Sequence, residues 1–326
     1  MWTQIIDILK QNQRFILSSH LNPDCDALGS ELALAIHLQQ LGKDVAIFNS
    51  DPVIDEYLFL DPSTMIQRYA DNQSQANAII NQTDVIIVLD ASGGWERLGD
   101  VGLVLEQARK LSICIDHHPT DSVFTDTAVI DTQVIATGEL IFDLITAMNG
   151  QFTPQIATAL YAAILTDSGS FRFPKTSPKT HHIIAELITQ GANPSDIHRR
   201  LYEQQPLARV QLKGHVLNTI QISDEGQVAY VSLDAKTLKA YQTSYTELNA
   251  FSNLAQEIGG VRVAILAVEL PDGRTKISLR SDNTVPVNQV ATELGGGGHH
   301  AAAGVTLPQA LPQALSLILD KTRLLL

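Results

Sequence analysis

The first half of the chain alternates short β-branched runs with amphipathic stretches. "RFILSSH" gives way to "SELALAIHLQQLGK" and then to "DVAIFN", and further on "DVIIVLD" and "LSICIDHH" repeat the apolar pattern. Strand-like runs separated by helix-period stretches predict a βαβ arrangement and hence a parallel sheet. Ser30 is the expected N-cap of the first crossover helix and Gly42 its C-terminal stop, so the charged stretch "HLNPDCDALG" falls in a strand-to-helix loop. "TGELIFDLITAMNG" and "PQIATALYAAILTDSG" read as two further helices, the second apolar enough to be buried.

From about Pro194 to Leu217 the chain turns more polar and helical, and beyond it the rhythm changes. We expect a first domain over 1–193, a helical connection over 194–217 and a smaller α/β domain over 218–326, with the active site in the cleft between the two domains. In the second domain "QVAYVSL", "VRVAILAVEL" and "RTKISLRS" are strands, and Pro271-Asp272-Gly273 makes a hairpin of the last two. Ile277 and Leu279 share one face of that hairpin; Lys276, Ser278 and Arg280 share the other, which predicts a basic edge. A helix then runs into four glycines, two histidines and a small-residue strand, "GGGGHHAAAGVTL", with a flexible linker as the alternative reading of the glycines.

With 326 residues, 44% of them hydrophobic, the chain has enough apolar material for two cores. Cys25 and Cys114 are too few for a disulfide framework. No apolar run reaches the length of a membrane span, and Asp7, Lys10 and Arg14 make the N-terminal stretch an amphipathic helix rather than a signal peptide. The expectation is a cytoplasmic protein with no membrane contact. A net charge of -13 argues against a non-specific grip on long nucleic acid, which depends on many cationic phosphate contacts.

Four stretches concentrate chemistry where such a sheet binds ligands, outside the carboxyl ends of its strands. "SSHLNPDCDALGS" follows the first strand, "VLDAS" ends on Asp90, "DHHPT" carries Asp116, His117 and His118, and "LTDSGS" places Asp167 after an apolar helix. Carboxylates gathered there would repel one another without a cation. His20, Asp24, Asp26, Asp90, His117 and Asp167 supply enough nitrogen and oxygen donors for two divalent ions if one carboxylate, most naturally Asp90, bridges them. Cys25 lies between two of these residues, and since alternate residues point apart it is expected to pack rather than ligate. His37, His181, His182, His198 and His215 read as surface or core histidines.

"HLNPDCDALGS", "VLDAS", "DHH" and "LTDSGSFRF" resemble the four ordered motifs of the DHH phosphoesterase superfamily, and "GGGGHHAAAG" resembles the glycine-histidine motif of its associated C-terminal domain. The resemblance spans nearly the whole chain, and the compact length is similar to the branch acting on short oligoribonucleotides and 3′-phosphoadenosine 5′-phosphate. It implies two manganese ions, one held by His20, Asp24 and Asp90, the other by Asp26, Asp90, His117 and Asp167. It also implies that Asp116 orients the histidine pair and that His118 lies near the scissile phosphate, as acid or hydrogen-bond donor to the departing oxygen. Two departures from the usual pattern are Cys25, where many relatives carry glycine, and Gly93-Gly94 after the second motif.

The function expected is therefore hydrolysis of short oligoribonucleotides to nucleoside monophosphates and of 3′-phosphoadenosine 5′-phosphate to AMP. Arg280, Gly297, Gly298 and His299 would receive the nucleotide's phosphate. The partners expected are short single-stranded RNA or small nucleotides, not long duplexes, and the sequence leaves room for a homodimer. Hydrolysis of linear or cyclic dinucleotides is the alternative within enzymes; a metal-bound nucleotide sensor without turnover is the alternative outside them.

Overall fold

The computed structural model describes residues 2–245, 248 and 251–326. They divide into two compact units, one reaching Gln204 and the other starting at Gln205.

The first unit runs α1 (Thr3–Gln11), β1 (Arg14–Ser18), α2 (Cys25–Gln40), β2 (Asp44–Asn49), β3 (Ile66–Arg68), α3 (Gln73–Gln82), β4 (Val85–Leu89), α4 (Asp100–Ala108), β5 (Leu111–Asp116), β6 (Thr127–Ile130), α5 (Thr137–Ala147), α6 (Pro154–Asp167), α7 (Pro178–Thr189) and α8 (Pro194–Tyr202). Its strands form one sheet in the order β3-β2-β1-β4-β5-β6, every pair parallel. The chain builds outward from β1 through β2 and β3, then returns to the other side of β1 for β4, β5 and β6. That reversal opens a crevice at the carboxyl ends of β1 and β4. β4 is buried along its whole length, as a central parallel strand covered on both faces must be.

Helix α2 is buried almost throughout and crosses α6 closely. A Cβ on Gly29 would sit 2.5 Å from the Ala159 carbonyl oxygen, so glycine lets the two backbones meet. Ser30 is not its N-cap. The helix opens at Cys25, and the Asp24 carboxylate accepts from the backbone N–H of Asp26 and Ala27 at 3.0 and 3.1 Å. Directly after Pro23 a carboxylate both satisfies these donors and complements the helix dipole, so the earlier cap wins. Gly42, at φ +75°, ends the helix as expected.

The second unit contains α9 (Leu207–Thr219), β7 (Gln221–Ser223), β8 (Val228–Leu233), α10 (Ala235–Ala240), α11 (Phe251–Leu254), β9 (Val263–Glu269), β10 (Thr275–Ser281), α12 (Val287–Glu293), β11 (Gly297–His299), β12 (Ala302–Leu307) and α13 (Leu311–Arg323). Its sheet is mixed, in the order β11-β12-β10-β9-β8-β7, with β8 and β9 parallel and the remaining pairs antiparallel. The Pro271-Asp272-Gly273 turn joins β9 to β10, Gly273 N–H donating to Leu270 O at 3.0 Å. The basic edge is not there: β12 pairs with the outer side of β10, so Lys276 and Arg280 stand on a sheet face rather than a rim. Nor is the glycine run a linker, because Gly297–His299 forms strand β11. Among the described residues no helix is long and apolar enough to cross a membrane.

Candidate metal centre

Each strand around the crevice ends on a polar group. His20 follows β1 by two residues, Asp90 follows β4 directly, and Asp116 is the last residue of β5, with His117 and His118 next in the chain. Asp26 lies in the first turn of α2, and Asp167 is the last residue of α6.

The structure brings these residues into three overlapping groups whose donor atoms lie within 4.8 Å of one another: His20, Asp24 and Asp90; Asp26, His117 and Asp167; and Asp90, Asp116, His117 and His118. Asp90 links them. Its Oδ2 lies 3.5 Å from His20 Nε2, while its Oδ1 lies 3.6 Å from His117 Nε2 and 3.4 Å from His118 Nδ1. One carboxylate thus turns its two oxygens toward two different donor sets. The residue is held there in a left-handed conformation, φ +58°, that aspartate tolerates better than most side chains.

Hydrogen bonds fix the other acids. Asp26 accepts from the backbone N–H of Thr137 at 2.7 Å and of Gly138 at 2.9 Å, so the first turn of α5 grips a carboxylate of α2. The Thr137 hydroxyl donates to Asp90 Oδ1 at 2.9 Å. Asp116 accepts from the backbone N–H of Ser92, His117 and His118 at 2.5, 2.6 and 3.0 Å, and from His118 Nδ1 at 2.8 Å. Its oxygens are therefore engaged in folding the tight turn that presents both histidines. Gly93 and Gly94, at φ +105° and +154°, let the chain turn sharply after β4.

The histidines differ in charge. His117 is buried with neither ring nitrogen hydrogen-bonded, and burial together with the neighbouring His118 cation lowers it to about 4 despite the pull of Asp90. A neutral imidazole nitrogen therefore faces the carboxylates of Asp26, Asp90 and Asp167, at 3.9, 3.6 and 3.3 Å. Burial opposes charge on His20 and His118 too, but hydrogen bonds to Asp90, joined at His118 by Asp116, raise them to about 9 and about 11. Asp90 is correspondingly favoured as an anion against its burial. Asp26 and Asp167 are pushed well above the usual carboxylate range by burial and by repulsion from the other acids. An orphaned imidazole among crowded carboxylates is a donor set suited to divalent cations that accept oxygen and nitrogen.

Cys25 is fully buried in the core and joins none of the three groups, and desolvation pushes its thiol up. Thr137 and Gly138 escaped the sequence reading because "ATGEL" reads as an ordinary helix start; the only signal was a threonine opening a helix that has no other cap.

In the second unit, Arg280 stands opposite Ala302 on β12, and Ala302 stands opposite His299 on β11. Residues in direct register share a sheet face, so Arg280 and His299 flank Ala302 on one side of the sheet. Arg280 Nε donates to Asn253 Oδ1 at 3.1 Å and Nη1 to Leu279 O at 3.0 Å. Burial disfavours its charge. Gly297 and Gly298 complete β11; a Cβ on Gly298, at φ +138°, would strike Ala302 O and the Ala303 Cα, both at 2.5 Å.

An open parallel sheet that gathers imidazoles and carboxylates at its switch point, followed by a second unit with a mixed sheet, defines a two-unit α/β protein with a candidate divalent-metal centre. Residues 14–164 match the DHH family, N-terminal domain, and residues 225–324 match the DHHA1 domain. The chain belongs to the DHH family. It is 30% identical over 310 residues to a Thermus thermophilus protein named bifunctional oligoribonuclease and PAP phosphatase NrnA, covering 94% of this chain and 88% of that one. The Bacillus subtilis protein of the same name is 29% identical, with 94% and 93% covered. The crystal structure of an exopolyphosphatase-related protein from Bacteroides fragilis superposes with a TM-score of 0.93 at 27% identity, covering 99% of this chain and 96% of that one.

Proposed function

We propose that the chain is a two-metal phosphoesterase that degrades short oligoribonucleotides to nucleoside monophosphates and converts 3′-phosphoadenosine 5′-phosphate to AMP, with manganese as its metal. The observation that carries this reading is the split of the Asp90 carboxylate, one oxygen toward His20 and the other toward His117. In this reading His20, Asp24 and Asp90 hold one ion and Asp26, Asp90, His117 and Asp167 hold the other. The names of the Thermus and Bacillus relatives support the substrate class.

Two divalent ions, when bound, supply electrophilic activation of the phosphate and of the attacking water. The chain's residues do the rest. Asp26 and Asp90, immobilised by Thr137 and Gly138, keep the ligand atoms spaced before any ion arrives. His118, held cationic between Asp116 and Asp90, donates a hydrogen bond to the departing oxygen. Arg280, Gly297, Gly298 and His299 receive the nucleotide's phosphate, which divides the work into hydrolysis by the first unit and capture by the second. A cytoplasmic setting belongs to the same reading, since both cysteines are buried free thiols.

Purified protein with manganese, offered single-stranded RNAs from the dinucleotide upward, 3′-phosphoadenosine 5′-phosphate, cyclic dinucleotides and pyrophosphate, tests the proposal. The expected result is fastest turnover on the shortest RNAs, with release of mononucleotides and of AMP. Beyond the few cationic contacts a longer strand meets an acidic protein, so higher salt should narrow the gap between short and long. Rates that rise with length would overturn the substrate assignment, and binding without turnover would make the chain a sensor.

A further inference from the structure

Glu31, on α2, is a fully buried carboxylate that the mechanism above does not use. Burying such a group is costly unless it organises its surroundings. Its Oε2 accepts a hydrogen bond from Asn49 Nδ2 at 2.9 Å. Asn49 closes β2 and is itself buried, and its Oδ1 accepts from the Ser19 backbone N–H at 3.1 Å and from the Ser18 hydroxyl at 3.4 Å.

Ser19 immediately precedes His20, and the other side of His20 is tied to neighbouring loops. Leu21 N–H donates to Arg97 O at 2.8 Å, and Asn22 N–H donates to Asp51 Oδ2 at 2.7 Å. The imidazole then donates from Nδ1 to Leu21 O at 2.8 Å, which leaves Nε2 facing Asp90 Oδ2 at 3.5 Å. The loop is therefore clamped on both sides of His20, and on the β1 side the Asn49 amide holds the Ser19 N–H.

A side-chain amide has an acceptor end and a donor end, and only one orientation serves the Ser19 N–H. With Glu31 Oε2 accepting from Asn49 Nδ2, the donor end of the amide is held at Glu31 and its acceptor end is left for the loop. Without it the amide could flip, setting two donors against each other at Ser19. We propose that Glu31 is a positioning residue for His20, acting through Asn49: its carboxylate fixes the amide orientation that holds the loop and aims the imidazole at Asp90. The proposal rests on the reading of His20 as a metal ligand.

Manganese binding to the purified full chain, measured by titration calorimetry alongside thermal melts without metal, tests it. His20→Ala defines which of the two binding events belongs to the His20 position. Glu31→Leu should weaken that same event by about 10- to 100-fold and leave the other within a few-fold, the range typical of outer residues that orient a ligand. Glu31→Gln should bind like wild type, because its amide oxygen accepts the same bond from Asn49. Unchanged binding in Glu31→Leu, equal weakening of both events, or a Glu31→Gln variant as impaired as Glu31→Leu would overturn the proposal. A His20→Ala variant that binds both ions normally would instead overturn the ligand reading. Should Glu31→Leu fail to fold, Asn49→Ala carries the same expectation, and failure of both to fold would assign the pair to the core alone.

Discussion

His118 Nδ1 lies 2.8 Å from Asp116 Oδ1 and 3.4 Å from Asp90 Oδ1, so one imidazole nitrogen joins the end of β5 to the end of β4. Both partners are acceptors, which requires this nitrogen to carry its proton and points the ring's other nitrogen away from the pair. His118→Ala should lower kcat by roughly 100-fold or more while both metals remain bound. Metal analysis beside steady-state kinetics checks this; loss of an ion would make the imidazole a ligand instead.

Asp90 and Asp167 should respond in opposite directions to the same substitution. Histidines favour the charge on Asp90, whereas burial and the nearby acids disfavour it on Asp167. Asp90→Asn, which tolerates the left-handed backbone, should abolish turnover, lose both ions and lower the metal-free melting temperature. Asp167→Asn should raise the metal-free melting temperature and lose that advantage when manganese is added, because bound cations reverse the repulsion. Melts of both variants with and without metal give the four values needed.

Thr137→Val keeps the shape of the side chain and removes its hydrogen bond to Asp90. Metal affinity should fall about 10-fold or more, since a freed carboxylate samples orientations that suit neither ion. The backbone grip on Asp26 survives the change, so the metal-free fold should melt close to wild type. A variant binding manganese as tightly as wild type would show that the hydroxyl does not orient Asp90.

Away from the site, Asp84 ties the start of β4 to the start of β1. It accepts from Arg14 Nη2 at 2.8 Å and from the backbone N–H of Arg14 and Gln13 at 2.9 and 3.2 Å, and these bonds lower its carboxyl to about 2. A folded value below the unfolded one contributes stability that is fully present above the unfolded pKa and drains away as the pH falls toward about 2. Asp84→Asn should therefore melt lower than wild type at neutral pH, with the difference shrinking as the pH drops below about 4. A gap that stays constant with pH would show that the charge is not what Asp84 contributes.

The candidate cluster was legible because its polar groups stand where an apolar run stops: Asp90 after "VIIVL", and Asp116 with His117 and His118 at the end of "LSICI", mark the ends of buried strands. The sequence placed the helix start at Ser30, and the local geometry after Pro23 moves it to Asp24. Thr137, Glu31 and Asn49 were not legible, because each sits inside an ordinary helix or strand pattern and gains meaning only from distant partners. Thr137 N–H and the Asp26 carboxylate are 111 residues apart. The pairing that covers β10 was hidden for another reason: "AAAGVTL" reads as a small-residue strand, but nothing in it names its neighbour, so its place beside β10 comes from the sheet rather than from itself.

The order in which the first sheet is assembled has a consequence for how the unit comes together. Donors from the β1 loop, the ends of β4 and β5 and the last turn of α6 become neighbours only after every crossover between them has closed. No early stretch of chain, however well formed, holds a complete set. A divalent ion held by these donors would therefore discriminate between the finished fold and any partly assembled species, and its binding free energy would fall on the global opening reaction. Amide exchange in β1, β4 and β5 should slow together when manganese is added, as one cooperative block, while the fraying end of α1 keeps its own pace.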